Sequence, residues 1–527
     1  MIRSYKPEKS AKVSTSERIV QWMVEAHQPL LNSTWNPALF IQGLDVLDTL
    51  KVYIYMSLAG VVRDGKTAYS SNTETKGNAI SAVEILRQKW SGLIEKGQEY
   101  YHFQRTKYKS LAPAKCQVVF WPFQLTHVKA QVPVANALKE LAINFRFLVS
   151  KLGTFSQLHD RGYNSIFGPA IWAKSVCDAR LNGHRLKNIL LSDPKINLPQ
   201  FPFECSQDMI IEAIRSPINA LIGMVLVMIA TMNEVVEHIA PEVIVVGNDL
   251  TAVGRIGCTL ARCKGIKTAC LMHGSISGNP FLGEHLSDKL IVYGENNRRE
   301  LLKAGIEHSR IEICGSPSID NIPVQTGKIN SVIKEKLTLD DKKPYVLVAT
   351  SGPGHSTSYT HHNKIIQNLA LLSAKHKEIN IICKLHPKDK IKYYDEILKR
   401  TEYYFKIVQY AEKGFPVDIF EWLQGCSAVL TGASTVAIEA MLMDVPVVTM
   451  DFDNEISNVD FIEAGATIHV RSIEGLEDAI NKVICSASEI GDVRKRKDIF
   501  IRDNFYALDG NAGLRTAEVL KGILEEK

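Results

Sequence analysis

A helix start near residue 434 carries side chains that can bind an anion. Ser434 and Thr435 follow Gly432 and the apolar run 428–431, so a predicted strand turns there into a helix that includes Glu439. Such a start presents unpaired N–H groups, the positive end of the helix dipole and two hydroxyls to a phosphate. Capping of the helix by Ser434 is the alternative, and this segment alone does not separate the two.

A histidine–proline pair follows another predicted strand. Pro387 ends the apolar run 379–385 and keeps His386 at the carboxyl end of that run. An imidazole there can donate to a phosphate oxygen and stabilise a leaving nucleotide, and Lys384 adds positive charge. A structural histidine explains His386 alone equally well. Together with the helix start, however, the pair predicts a site for a diphosphate or phosphodiester.

The loop 351–359 is rich in glycine and hydroxyl residues. Gly352 and Gly354 allow its backbone to approach a ligand closely. The hydroxyls can bind phosphate or sugar oxygens, so the loop is a third candidate for the same site.

Metal binding is not predicted for this region. His355, His361 and His362 match no regular ligand spacing. Asp451 and Asp453 form a DxD pattern, but they follow a predicted strand, where a turn with solvated carboxylates is the ordinary explanation.

Three residues of the N-terminal half are candidates for a general base that deprotonates an acceptor hydroxyl. Each follows a predicted strand: His127 the run 116–121, Asp249 the run 241–247 and His273 the run 267–272. An aspartate at a strand end is more often a helix cap. His273 could equally position a substrate oxygen.

Positioning these residues requires two parallel sheets. From residue 113 onward, short β-branched runs alternate with helical patterns, which is typical of sheets flanked by helices that bind ligands at their carboxyl edge. The further predicted strands are 145–149, 289–293, 310–314, 345–349 and 445–450, and the predicted helices include 134–141, 252–263 and 511–527. The expected fold is α/β, with two Rossmann-like domains that face a cleft and a mainly helical N-terminal extension. The predicted domains are 1–112, 113–325 for the acceptor and 326–527 for the nucleotide sugar.

Composition limits the classes of partner. The 527 residues are 45% hydrophobic, enough for more than one core, and 62 basic against 57 acidic side chains create no strong field toward nucleic acid. The ten cysteines contain no CxxC pair, which favours reduced thiols in a cytosolic protein.

Targeting signals are not apparent. The first 18 residues have no apolar signal-peptide region, and the longest apolar stretch, 218–232, is shorter than the roughly 20 residues of a membrane span and predicts a buried helix. We therefore expect a cytoplasmic protein, at most peripheral at the inner membrane face. The aromatic and basic stretch 100–109 could contact an anionic polymer or lipid headgroups, although a solvated helix face is the more ordinary interpretation.

His386–Pro387 and Ser434–Thr435 resemble the HP and S-S/T motifs of GT-B glycosyltransferases that use CMP-activated acidic sugars such as sialic acid or Kdo. The resemblance covers about residues 113–520. It implies that these four residues bind the CMP phosphate and that Glu439 binds the ribose. It also implies a metal-independent transferase of capsule or lipopolysaccharide assembly, whose nucleotide sugar is a substrate rather than a cofactor and whose acceptor is a glycan or glycolipid.

The chain departs from those transferases in one motif. Their acidic D/E-D/E-G base motif has no convincing copy, the nearest being Asn248–Asp249, so Kdo transfer is at least as plausible as sialyl transfer. Residues 245–251 are similar to the strand and Gly-Asp-Thr of UDP-N-acetylglucosamine 2-epimerases, which makes epimerisation the alternative reaction. A CDP-glycerol or CDP-ribitol phosphotransferase and a non-catalytic sugar-nucleotide-binding subunit also remain open.

Overall fold

The computed structural model describes residues 14–41, 44–64, 114–168, 172–192, 196–272, 274, 276, 279–340, 342–352, 357–387, 389–394, 405–456, 459–485 and 487–526. The chain forms two compact units. Unit 1 contains residues 1–293, 297–318 and 511–527, and unit 2 contains residues 294–296 and 319–510. The aromatic and basic stretch 100–109 lies outside the described residues.

The N-terminal part of unit 1 is mainly helical. Its elements are α1 (Thr15–Leu31), α2 (Asn36–Leu39), β1 (Phe40–Ile41), β2 (Leu44–Asp45) and α3 (Val46–Asp64). Helix α1 begins with a capping box, in which Ser14 and Glu17 each bond to the backbone N–H of the other. The apolar faces of α1 and α3 join the main hydrophobic core of unit 1.

A seven-stranded parallel sheet forms the centre of unit 1, in the order β5-β4-β3-β6-β7-β8-β9. The strands are β3 (Val118–Trp121), β4 (Phe145–Val149), β5 (Ser165–Phe167), β6 (Val243–Val246), β7 (Lys267–Leu271), β8 (Lys289–Val292) and β9 (Ile311–Ile313). Every residue of β3 and β6 is buried. Burial on both faces explains why these strands are continuous apolar runs without a polar alternation.

Helices cover both faces of this sheet. They are α4 (Leu125–Glu140), α5 (Leu152–Asp160), α6 (Ala173–Leu190), α7 (Gln207–His238), α8 (Ala252–Cys263) and α9 (Glu295–Lys303). Among the described helices, α7 is the one that is long and apolar enough to cross a membrane. However, 50% of its most apolar 18-residue segment is buried inside the protein. It packs against α3, α6 and α8, as expected for a core helix.

Unit 2 contains a six-stranded parallel sheet in the order β12-β11-β10-β13-β14-β15. Its strands are β10 (Tyr345–Ala349), β11 (Asn380–Lys384), β12 (Phe405–Val408), β13 (Ala428–Thr431), β14 (Val447–Met450) and β15 (Ile468–Val470). Its helices are α10 (Ser331–Leu337), α11 (Tyr359–Lys375), α12 (Ile419–Leu423), α13 (Thr435–Leu442), α14 (Asp460–Glu463), α15 (Ile473–Cys485) and α16 (Gly491–Phe505). The last helix of the chain, α17 (Ala512–Glu525), belongs to unit 1 and packs there on α4. The prediction of two parallel-sheet α/β domains with N-terminal helices is confirmed.

An ion-pair network attaches α3 to the rest of unit 1. Arg255 of α8 is 3% exposed and places Nε and Nη2 at 3.2 and 2.6 Å from Oδ2 of Asp48. Its Nη1 donates to the backbone oxygen of Glu284 at 3.1 Å. Lys51 pairs with both Asp48 and Glu284. Helix α3 is therefore held by charged groups as well as by apolar packing.

Replacing Asp48 by alanine is expected to destabilise unit 1 by about 2 kcal/mol, because the buried Arg255 guanidinium then loses its carboxylate. Urea unfolding would measure the change. The control is Glu212→Ala, which breaks an exposed pair with Arg215 and should cost about 0.5 kcal/mol or less. Equal losses in the two variants would contradict a stabilising role for the network.

Candidate functional site

The predicted phosphate-binding residues of unit 2 lie at one edge of its sheet. Strand β10 lies between β11 on one side and β13 on the other. The strands that follow β10 in the sequence are first added on the β11 side and then on the β13 side, so the strand order reverses at β10. Parallel sheets bind ligands at the carboxyl ends of strands beside such a reversal. Ala349, the last residue of β10, pairs with Lys384 of β11 and with Thr431 of β13. The three strands therefore end level with one another.

Hydrogen bonds fix the loops that leave these strands. The backbone N–H of His386 donates to Thr350 Oγ1 at 2.9 Å, and Thr431 Oγ1 donates to the backbone oxygen of Ala349 at 2.9 Å. A Cβ atom on Gly432 would lie 3.3 Å from Ser351 Oγ, so the loops after β10 and β13 touch at that point. The structure thus brings His386 and the helix start at Ser434 to the same edge. Gly352 is also there, buried at the start of its loop.

The start of α13 shows how Ser434 is used. Its side chain accepts from the backbone N–H of Val436 at 3.3 Å, so Ser434 caps the helix. A hydroxyl that accepts one hydrogen bond can still donate its own proton to an anion. Thr435 is exposed as the first residue of the helix. Helix capping and phosphate binding are therefore compatible in this segment.

A buried polar cluster supports the loop of His386. Asp389 is 1% exposed, and its backbone N–H donates to the backbone oxygen of His386 at 2.9 Å. Tyr394 donates its hydroxyl to Asp389 Oδ2 at 2.7 Å, and His362 Nε2 lies 3.6 Å from Oδ1. Burial lowers the pKa of His362. His386 itself is half-buried and Pro387 is exposed, so the loop presents this pair to solvent from a fixed base.

Lys384, the last residue of β11, lies beside two aromatic rings and within the electrostatic influence of Glu439. The Lys384 ammonium is 5.2 Å from the centre of the Tyr410 ring and 5.7 Å from that of the Trp422 ring. Burial lowers the pKa of Lys384, and the negative charge of Glu439 opposes this shift. The predicted binding residues Lys384 and Glu439 are therefore close enough to interact.

His355, considered for metal binding, lies outside the described residues, whereas His361, Asp451 and Asp453 hold loops together. His361 Nε2 accepts from the backbone N–H of Phe452 at 3.2 Å, and Asp451 Oδ1 accepts from the backbone N–H of Glu455 at 2.7 Å. Asp453 pairs with Lys364. The DxD pattern thus forms a turn in which Oδ1 of each carboxylate is engaged.

In unit 1, His127 and Gly247 meet where the strand order reverses between β3 and β6. His127 is 3% exposed, and its Nδ1 accepts from the backbone N–H of Phe123 at 3.2 Å. A Cβ atom on Gly247 would lie 2.3 Å from the His127 ring, so only glycine allows this approach. The sequence predicted both residues near this edge but not their contact.

Asp249 is fully buried and holds a distant segment in place. Its Oδ1 pairs with His285 Nδ1, and its Oδ2 accepts from the backbone N–H groups of Leu286 and Ser287 at 2.9 and 2.7 Å. The Ser287 hydroxyl also donates to Oδ2, at 2.7 Å. Burial alone would raise the pKa of Asp249, but His285 and Ser287 outweigh it and hold that pKa below its ordinary value.

These contacts assign Asp249 a structural role, whereas its action as a general base stays a prediction. Asp249, His285 and Cys270 form the one group in the described part of the chain whose ligand atoms, all within 4.8 Å, could hold a metal. Both oxygens of Asp249 are already engaged, so hydrogen bonding accounts for the arrangement. His273 and Gly354, also predicted for the site, lie outside the described residues.

Comparison with known proteins gives one family and a fold. A sequence model described as UDP-N-acetylglucosamine 2-epimerase matches residues 202–521. No curated protein matches the chain by sequence. A crystal structure of a UDP-N-acetylglucosamine 2-epimerase has 13% identity and a TM-score of 0.51, and it covers 79% of this chain and 98% of its own. The structure of the Neisseria meningitidis UDP-GlcNAc 2-epimerase bound to UDP-GlcNAc has 13% identity and a TM-score of 0.50. The match covers 78% of this chain and 99% of the Neisseria chain. At these identities the structures show a shared fold.

Proposed function

Because this chain belongs to the UDP-N-acetylglucosamine 2-epimerase family, we propose that it is an enzyme that inverts C2 of a UDP-linked N-acetylhexosamine. The observation that carries the proposal is the family match, which spans residues 202–521 and therefore includes the candidate residues of unit 2. The reaction rearranges one substrate and conserves its oxidation state. The nucleotide sugar is then a substrate, and neither a redox cofactor nor a glycan acceptor is consumed.

The sequence-based prediction of a CMP-sugar-dependent Kdo or sialic acid transferase is wrong. The family match overturns it and favours the epimerase that the sequence left as the alternative. The reason lies in what the two motifs encode. His386–Pro387 and the helix start at Ser434 are suited to a phosphate group, and phosphate is common to all sugar nucleotides. Neither motif specifies the nucleobase or the reaction.

Inversion at C2 requires that the C2–H bond breaks on one face of the sugar and forms again on the other. A base takes the proton, but the remaining electron pair needs an acceptor. If the C1–O bond to the diphosphate breaks at the same time, the pair forms a C1–C2 double bond and the diphosphate leaves with the C1–O electrons. Return of the diphosphate to C1, with a proton delivered to the opposite face of C2, completes the reaction.

The carboxyl edge of the unit 2 sheet supports this scheme, because its groups can stabilise the charge of a departing diphosphate. These groups are the His386 imidazole, the start of α13 with Ser434 and Thr435, and the loop at Gly352. His127, Asp249 and His273, which the sequence predicts as candidates for the base of an acceptor hydroxyl, are then the candidates for proton transfer at C2, and this role stays a prediction. A cytoplasmic location also stays a prediction.

Incubation of the purified protein with UDP-GlcNAc in D₂O tests the proposed function. We expect the C2-inverted sugar nucleotide, with deuterium at C2, because the proton taken from C2 is replaced by one that has exchanged with solvent. Proton NMR would follow exchange by the loss of the C2 proton signal and of its coupling to the C1 proton, and would follow inversion by the appearance of a new C1 proton signal from the product. Binding of UDP-GlcNAc without exchange or inversion would overturn the proposal.

A further inference from the structure

Lys384 makes unusual contacts for a lysine at a strand end. Its ammonium lies 5.2 Å from the Tyr410 ring centre and 5.7 Å from that of Trp422, so two aromatic rings order the side chain. Trp422 is 1% exposed and donates its indole N–H to the backbone oxygen of Pro416 at 2.9 Å, which fixes the ring. Among the described residues, none accepts a hydrogen bond from the Lys384 ammonium. An ordered donor group is therefore held ready for an acceptor.

The position of Lys384 relative to α13 suggests which part of a nucleotide it meets. Glu439 lies four residues beyond Thr435, which is about 6 Å along the helix axis. A diphosphate at the helix start whose nucleoside extends along the helix toward Glu439 would bring the base near Lys384, because the charge of Glu439 acts on the Lys384 ammonium. Tyr410 adds a ring that is 42% exposed at this end. The diphosphate and Lys384 thus occupy different parts of the candidate site.

We propose that Lys384 selects uracil over cytosine by donating a hydrogen bond to the oxygen at position 4 of the base, with Tyr410 beside it. This inference rests on the proposed function and names the nucleobase end of the same site. An ammonium group only donates hydrogen bonds. Uracil offers a carbonyl oxygen at position 4, whereas cytosine offers an amino group that also donates. Lys384 therefore favours the binding of uracil and opposes the binding of cytosine.

The surroundings of the ammonium strengthen that discrimination. Lys384 is half-buried, and burial lowers its pKa. A partly desolvated donor bonds more strongly to a matching acceptor and is opposed more strongly by another donor than the same group in water.

Titration calorimetry with UDP and CDP tests the proposal, because these ligands carry the same diphosphate and differ at position 4 of the base. The wild-type protein is expected to prefer UDP by about tenfold or more. Lys384→Met should weaken UDP binding by about tenfold and change CDP binding by about twofold or less. Lys384→Arg keeps a charged donor and should retain the preference for UDP.

Lys392→Met is the matched control. The Lys392 ammonium lies 5.7 Å from the Tyr393 ring centre, so the variant removes a similar cation–aromatic contact from an exposed part of the same unit. It should bind both nucleotides as the wild type does.

Equal weakening of UDP and CDP in Lys384→Met would overturn the proposal and assign Lys384 to the diphosphate. If Lys384→Met binds UDP and CDP as the wild type does, Lys384 does not contact the nucleotide and the proposal is overturned. Because the preference is measured at equilibrium without turnover, its outcome is separate from that of the C2 exchange experiment. If the wild type exchanges the C2 proton and Lys384→Met keeps the preference for UDP, only the role of Lys384 is overturned. If Lys384→Met loses the preference and the wild type shows no exchange, only the epimerase proposal is overturned.

Discussion

His386→Ala lowers the turnover of UDP-GlcNAc by about a hundredfold or more while the fold stays intact; this is the result we expect. In the proposed reaction, negative charge develops on the diphosphate as it leaves C1, and removal of one positioned donor to such a group typically costs about a hundredfold to a thousandfold. The backbone contacts of residue 386 involve Thr350 and Asp389 and do not use the imidazole. These two backbone hydrogen bonds are retained in the variant.

Steady-state kinetics and thermal unfolding of the same preparations would test this. A fall in kcat with little change in KM is expected if the imidazole acts mainly in the transition state. The control is His376→Ala, a histidine that follows α11 in the same unit and bonds to Glu378 at 2.8 Å. It should leave turnover unchanged. Wild-type turnover in His386→Ala would remove His386 from the mechanism, and a rise in KM alone would restrict it to ground-state binding.

The sequence predicts the central strands of both parallel sheets closely and misses three of their four edge strands. The observed β4, β10 and β13 have the predicted bounds, because strands buried on both faces are predominantly apolar, although β4 includes the buried Arg146. The missed edge strands are β5, β12 and β15, each of three or four residues, and the two-residue strands β1 and β2 were missed as well. An edge strand pairs on one side only, and β12 and β15 contain half-buried or exposed residues that weaken the pattern.

The sequence revealed those site residues that belong to a short motif of consecutive residues. The helix start at Ser434 and the pair His386–Pro387 each follow a strand directly, so a few consecutive residues reveal them. The contacts of Asp249 could not be found in this way, since His285 lies 36 residues away. Tyr410 was missed for a similar reason, because it follows β12, a strand that the sequence did not predict. These motifs predict binding of a phosphate group, so they could not predict which nucleotide the protein binds.

Asp249→Ala is expected to destabilise unit 1 by about 3–5 kcal/mol. The carboxylate is fully buried and accepts hydrogen bonds from the backbone N–H groups of Leu286 and Ser287. Alanine would leave these donors and the His285 ring without their partner in the interior, where unpaired polar groups are costly. Urea unfolding followed by circular dichroism would measure the loss. Glu312→Ala, which breaks a more exposed pair with Lys289, is the control and should cost about 1 kcal/mol or less.

This experiment also separates the two roles considered for Asp249. If the residue is mainly structural, stability falls in Asp249→Ala, and activity falls with the folded fraction. If it acts as the general base, a variant of wild-type stability would lose turnover instead. The hydrogen bonds of both carboxylate oxygens and the lowered pKa favour the first outcome, because a carboxylate that holds its charge so firmly is a weak base near neutral pH.

The pH dependence of unfolding gives an independent measure of the same interaction. His285 and Ser287 hold the pKa of Asp249 below its ordinary value, which is about 4 in an unfolded chain. Stability from a lowered carboxyl pKa is fully present above the unfolded value and is lost as pH falls toward the folded value. The wild type should therefore lose more unfolding free energy than Asp249→Ala as pH falls below about 4. Parallel stability curves from pH 7 to pH 3 would contradict a buried, ionised Asp249 as the anchor of residues 285–287.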